Sequence, residues 1–260
     1  MADLFAAGYP QALVLLAVRV TGLLLVAPMY SAKTIPVAVR TAVLLLLTVL
    51  LAPVAWQGAG SAAATLQLSP AAAATELLVG LALGLGAALL VGAVELAGDL
   101  VTTTTGLSGA ALIDPLNGTT SSVLTQFAQL FAVTVLLALD GHLVMLDALA
   151  ASLRELPVGA TVDLRAGLAA LVANGATLFV LGLRFAAPVI AATLLGNVAL
   201  AVLTRAAPQL NVFSIAFPVQ IAIGLAALVA TLAFVATWFT GWSGHYAGAL
   251  EALFAGLLRR

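Results

Sequence analysis

Few side chains in this sequence could do chemistry, and their spacing limits which chemistry is open to them. Glu95 and Asp99 stand four residues apart in an apolar stretch that also holds Glu76, while Arg19 and Arg184 interrupt other apolar runs. Carboxylates at that spacing share one face of a helix. An ionised group in an apolar medium must face protein or a water-filled cavity. Two roles are therefore open to these groups: pairing that fixes helix to helix or subunit to subunit, or a path for protons or ions along the acids. Asp140 and His142 could begin a metal site or a proton relay, but residues two apart point to nearly opposite sides of a helix. No second Asp/Glu/His cluster completes a coordination shell. We read Asp140-Gly141 as a helix-breaking turn with Asp140 as its cap. The sequence has no Walker loop, serine elbow or HExxH pair, and its zero cysteines exclude a thiol nucleophile and a Cys-ligated zinc. No catalytic, cofactor-binding or metal set emerges, and the sequence predicts a protein that is not an enzyme.

The elements that would position these residues follow from composition. Of 260 residues, 63% are apolar and 7% charged, with a net charge of −1, and the mean hydropathy is +1.22. A soluble domain carries about 25% charged residues, so this surface is not built for water, nor for nucleic acid. Crossing a membrane takes about 20 apolar residues. Six segments qualify: Pro10 to Met29, Val37 to Trp56, Ala71 to about Leu100, Val123 to Leu153, Ala166 to Leu203, and Val212 to about Trp242. All are rich in Leu and Ala without period-2 alternation, which predicts an all-α integral membrane protein. The first segment lacks a basic leader and contains Arg19, so it is not read as a cleavable signal. The fifth segment would be roughly 57 Å long as one helix and has no internal turn signal. Pro188 predicts a kink in it rather than a loop, and Pro218 falls near the start of the sixth. Lys and Arg divide three to four between the two sides of a six-span layout, which does not orient the chain.

Two further patterns are informative. On the third segment Glu76, Gly80, Gly84, Ala88, Gly92, Glu95, Gly98 and Asp99 fall within an arc of about 160°. Small residues on such an arc let another backbone approach closely. The stretch from Thr102 to Ser122 is long, polar and nearly uncharged, with turn signals at Asp114-Pro115 and Asn117-Gly118 and an apolar centre from Leu107 to Leu116. It reads either as a solvated loop or as one folded back into a protein cavity or pore, where irregular backbone at membrane depth is shielded.

In order along the chain stand Arg19-Val-Thr-Gly22, Ala27-Pro28-Met29-Tyr30-Ser31 and Ile35-Pro36-Val37-Ala38-Val39-Arg40, then Gly106-Leu-Ser-Gly109 with Asp114-Pro115. Leu139-Asp140-Gly141-His142 and Leu156-Pro157-Val158-Gly159 follow, then Ala186-Ala187-Pro188, the run Ala206 to Phe213, and Phe217-Pro218. Together these motifs resemble the FliR family, membrane proteins of the bacterial flagellar type III export gate, over essentially the whole chain. The last third is also similar to the FliQ family through Ala187-Pro188, Gln209-x-Asn211 and Pro218. The resemblance thus implies a fusion of a FliP-like part (1–165) and a FliQ-like kinked hairpin with a C-terminal tail (166–260). Gln220 stands where injectisome relatives often carry Lys, which leans toward the flagellar branch.

The resemblance implies a channel assembled with FliP-like and FliQ-like subunits, working with FlhB-like and FlhA-like proteins in the bacterial inner membrane at the flagellar basal body. Unfolded exported proteins would pass through it. The plug of that channel would be built from Gly106, Leu107, Ser108, Gly109, Leu112, Ile113, Asp114, Pro115 and Gly118. Inter-helix or inter-subunit contacts would fall to Arg19, Glu76, Gly80, Gly84, Gly92, Glu95, Asp99 and Arg184, and kinks and turns to Asp140, Gly141, Pro188, Pro208, Asn211 and Pro218. No cofactor is implied. The alternative is a proton- or ion-coupled secondary transporter using Glu95 and Asp99, although matched repeats with broken helices are missing.

Overall fold

The computed structural model describes residues 8–31, 35–59, 67–107, 123–160, 162–207 and 212–257. Among them every regular element is an α-helix: α1 (Tyr9–Val26), α2 (Val37–Ala59), α3 (Pro70–Thr104), α4 (Val123–Ala138), α5 (Gly141–Glu155), α6 (Leu164–Ala206), α7 (Val212–Phe239) and α8 (Trp242–Leu257). Five of these, α1, α2, α3, α6 and α7, are long and apolar enough to cross a membrane, and α4 with α5 would add a sixth as one broken span. The chain is an all-α integral membrane protein.

The helix starts are set by local chemistry. Ser69 accepts the Ala72 N–H on its hydroxyl at 3.1 Å, and Pro70, with no N–H to lose, takes the first helical position of α3. Asp163 plays the same part for α6, its Oδ1 accepting from Arg165 N–H at 2.9 Å and Ala166 N–H at 3.2 Å. Helix α6 then runs for 43 residues without a break, with Pro188 inside it. That is about 65 Å, and it is one helix, as the missing turn signal predicts.

One element goes unmarked in the sequence and one expectation is corrected. Beyond the sixth apolar segment α7 ends at Phe239, and 242–257 form a further helix, α8. Trp242, Tyr246, Leu250, Leu253 and Leu257 recur at helical spacing and are all buried, a stripe that the high background of apolar residues conceals. Asp140 does break the helix, but not by side-chain capping. Its backbone sits in the left-handed region (φ 55°, ψ 26°) and its carboxylate makes no cap bond. Its carbonyl accepts the Leu143 and Val144 N–H groups at 2.9 and 3.2 Å, while the carboxylate is exposed. Asp is among the few non-glycine residues that tolerate this conformation.

The chain divides into two compact units that interleave along the sequence. One contains residues Met1–Leu89, Asp140–Gly175 and Trp242–Arg260, and the other Leu90–Leu139 and Ala176–Gly241. The first unit is centred on a buried ion pair. Arg19 of α1 is 1% exposed and Glu76 of α3 is 0% exposed. Arg19 Nε donates to Glu76 Oε2 at 2.6 Å, and Nη2 donates to Leu156 O at 2.9 Å. Nη1 reaches both the carbonyl and the hydroxyl of Ser152 at 3.2 Å. The second carboxylate oxygen, Glu76 Oε1, accepts the Gly159 N–H at 2.8 Å. Two buried charges cost several kcal/mol each to desolvate, and the pair is tolerable because nearly every donor and acceptor is used.

Close backbone approach lets that pair form. Gly22 of α1 and Gly80 of α3 face one another: a Cβ on Gly22 would lie 2.5 Å from Leu77 O, and one on Gly80 would collide with Arg19 O. Gly84 lies against Leu23 O, where a Cβ would approach to 2.7 Å. Helix α8 closes the other side of this part of α3. Tyr246 donates to Leu83 O at 2.9 Å and stacks on Trp242 with centroids 5.0 Å apart. Burial pushes the Tyr246 phenol above its ordinary pKa, so it keeps the proton that it donates.

In the second unit, α3 from Leu90, α4, α6 from Ala176 and α7 share a core that includes Val94, Leu136, Phe185, Val189 and Val235. Phe185 meets Phe234 and Trp238 edge-on, with centroids 6.3 and 5.4 Å apart. Much apolar surface stays outside both cores, including Leu46, Val49 and Leu50 on α2, Leu195 on α6 and Val229 on α7. These faces suit lipid or other helices.

Breaking the ion pair should be costly. Glu76→Gln leaves a buried guanidinium without its counter-charge, and the expected loss is about 3–5 kcal/mol. It should appear as poor accumulation in membranes and a lower melting temperature in detergent. The joint change Arg19→Met with Glu76→Leu should cost less than either single change; a double mutant as damaged as the sum of the two would refute their coupling. Tyr246→Phe keeps the stacked ring and should cost about 1 kcal/mol or less. Tyr246→Ala should cost about 3–5 kcal/mol, a contrast measurable in the same melts.

Candidate functional site

Several of the sequence-predicted residues, Gly92, Glu95, Asp99 and Gly106, lie on the second half of α3 and at its end. Gly98 lets α4 approach: a Cβ there would lie 2.9 Å from Ala128 Cβ and 3.1 Å from Thr125 Cα. The contact brings the Thr125 hydroxyl to Asp99 Oδ1, to which it donates a short hydrogen bond. Asp99 is otherwise exposed, and Glu95, one turn earlier, is half-buried. Gly92 meets α6, with a Cβ there falling 3.1 Å from Leu178 Cδ1. Gly80 and Gly84 thus lie against α1 within the first unit, and Gly92 and Gly98 against α6 and α4 within the second.

Thr102, Thr103 and Thr104 end α3 and Thr105 follows it, and each returns its hydroxyl to a carbonyl of the preceding turn. Thr102 donates to Gly98 O at 2.7 Å, Thr103 to Asp99 O at 2.9 Å, Thr104 to Val101 O at 3.2 Å and Thr105 to Val101 O at 2.8 Å. The hydroxyls are satisfied inside the helix, as is usual for threonine in an apolar setting. Gly106 then stops the helix with φ 75°, a left-handed position that costs glycine nothing.

This helix end is fastened to α7 and α6. Gln220 Nε2 donates to Thr104 O at 3.3 Å and to Asn197 Oδ1 at 2.8 Å. The Phe217 ring lies beside Gly106, where a Cβ would approach to 3.7 Å, and Gly224 leaves room for the Thr105 methyl. Sequence reasoning used Gln220 only to lean between family branches and missed Asn197. The available signal was an amide side chain in each of two apolar helices, which in such a setting needs a partner.

The other predicted residues distribute as follows. Arg19 and Glu76 form the buried pair of the first unit. Arg184 is exposed on α6, as are Pro188 on the same helix and Pro218 on α7. Gly141 is buried at the start of α5. Of the stretch assigned to the plug, Gly106 and Leu107 are seen, whereas Ser108, Gly109, Leu112, Ile113, Asp114, Pro115 and Gly118 lie outside the described residues, as do Pro208 and Asn211. Among the described residues no group of three or more His, Cys, Asp or Glu side chains could hold a metal ion. What the arrangement offers is mechanical: a long apolar helix whose end is pinned by one amide where the chain leaves helical structure.

Comparison with known proteins fits this picture. The family model "Bacterial export proteins, family 1" matches residues 11–245. The flagellar biosynthetic protein FliR of Pectobacterium carotovorum subsp. carotovorum is 32% identical over 218 residues, covering 81% of this chain and 80% of that protein. The FliR of Escherichia coli K12 is 30% identical over 218 residues, covering 84% and 83%. That of Bacillus subtilis 168 is 31% identical over 163 residues, covering 62% and 63%. With the family model matching residues 11–245 and FliR proteins 32% and 30% identical over 81% and 84% of its length, this chain belongs to the FliR family of bacterial export proteins.

Proposed function

We propose that this chain is a component of the flagellar type III protein export gate, helping to form and plug the channel through which unfolded flagellar subunits leave the cytoplasm. The match to bacterial export proteins over residues 11–245 carries this reading. The name of the relatives, flagellar biosynthetic protein, agrees with it. The role requires no chemistry from the chain itself. The proposed partners are FliP-like and FliQ-like subunits within the gate and FlhB-like and FlhA-like proteins beside it, in the inner membrane at the basal body. The FliP-like part is assigned to 1–165 and the FliQ-like hairpin to 166–260. The broad apolar faces left outside both cores give such subunits surfaces to pack against.

The plug is assigned to the stretch that begins at Gly106 and runs to Gly118. Two observations support it: the stretch begins at a helix end held by Gln220, and its apolar centre needs shelter from water. At rest it would block ions and small molecules, and it would move aside for a passing polypeptide. A secondary transporter is not favoured, because family membership points to export and because Asp99, one of its two acids, is exposed and hydrogen-bonded to Thr125.

Deleting 106–118 should raise ion conductance through the purified gate in planar bilayers, and unchanged conductance would overturn the plug assignment. Gln220→Ala, which frees the helix end without removing the plug, should give a smaller leak at normal protein abundance. Glu95→Gln with Asp99→Asn should leave motility and export near wild type in a correctly assembled gate. Export lost with assembly intact would instead support an ion-carrying role for the two acids.

A further inference from the structure

Within the first unit, α5 and α8 leave a cleft of about 530 Å³ open between them. Its α5 wall is one helical face, Val144, Ala148, Ala151 and Glu155, about 17 Å or three turns long. Its α8 wall brings Leu250 and Phe254 into the same space. The alanines keep the floor low, so the trough has the shape into which a third helix packs against two.

The rim gives the trough its sign. Asp147 and Glu155 on α5 and Glu251 on α8 line the cleft, and no cationic side chain among the described residues does. All three acids are exposed, and none of their carboxylates takes part in a hydrogen bond or ion pair among the described residues. The sequence has 10 acidic residues in all, so this one cleft gathers a large share of a scarce resource. An apolar occupant alone would desolvate carboxylates without pairing them, which is costly. An anionic lipid or a nucleic acid would be repelled. Asp147 and Glu155 are eight residues, about 12 Å, apart along α5, so cations two turns apart on an incoming helix would meet both.

We infer that the α5–α8 cleft is a docking site for an amphipathic helical segment of another protein chain, about three turns long, with an apolar stripe flanked by Lys or Arg at two-turn spacing. Apolar side chains would fill the trough over Ala148 and Ala151 while the cations pair with Asp147, Glu155 and Glu251. Such pairs at an interface set orientation and on-rate as much as affinity. This inference is independent of the plug assignment, since it concerns neither α3's end nor the stretch beyond it.

The test is photo-crosslinking from a benzoylphenylalanine placed at Ala151 in the full-length chain, expressed in flagellated cells with its natural complement of partners. The expected adduct maps by mass spectrometry to a helical segment of another chain carrying at least two Lys or Arg residues. Asp147→Lys with Glu251→Lys should lower its yield about tenfold or more. Asp147→Asn with Glu251→Gln should lower it less, and reversing the mapped cations to Glu should restore it in the double-lysine background. The neutral pair keeps the test valid if the lysine pair fails to accumulate. An adduct insensitive to these charges would overturn the inference. So would one mapping to a neutral or acidic segment, to this chain's own Arg259 and Arg260, or to lipid. No adduct from a chain present at wild-type abundance would overturn it as well.

Discussion

A buried guanidinium must have all its needs met by protein, and in this fold that requirement organises half the molecule. Arg19 draws on α3 for its counter-charge and on α5 and the turn after it for carbonyls, so three distant segments meet at one side chain. Glu76 in turn fixes the Gly159 amide. Apolar packing is non-directional and among so many Leu and Ala residues has little register information. The ion pair supplies that register. One turn's slip of α1 along α3 would move a charge by about 5.4 Å and leave both ions unpaired.

The glycines and the ion pair work as one device. Gly22 and Gly80 bring two backbones close together where the Arg19 side chain ends on Glu76. Where helices associate without a hydrophobic gradient between them, close packing and shielded polar contacts take over that role. The same logic recurs at lower intensity in the second unit, where Gly98 admits α4 and the contact is completed by Asp99 and Thr125. Gln220 with Asn197 and the Thr104 carbonyl is a third instance, there holding a helix end rather than a crossing.

Helix type and approximate bounds were legible from residue types alone, because runs of Leu and Ala without alternation leave few options. The stripe of small residues on α3 was legible too, since 100° spacing is arithmetic. Partner identity was not. Arg19 and Glu76 are 57 positions apart, and the carbonyls that complete the site belong to residues 133 and 137 positions away. Nothing local marks a backbone carbonyl as reserved for an arginine. Helix α8 escaped for the opposite reason: its buried stripe, Trp242 to Leu257, is regular, but in a chain this apolar one more stripe does not stand out. At Asp140 the residue type suggested a side-chain cap, whereas the backbone conformation does the breaking.

The start of α6 is tied to the end of α8. The Asp163 N–H donates to Leu257 O at 3.0 Å, while the Asp163 carboxylate caps α6. One residue therefore opens one helix and closes another encoded nearly a hundred positions later. During synthesis, α6 can begin with its carboxylate cap alone, but the backbone link waits until residue 257 has left the ribosome. The first unit is thus completed from its far end, after the intervening helices of the second have already been made.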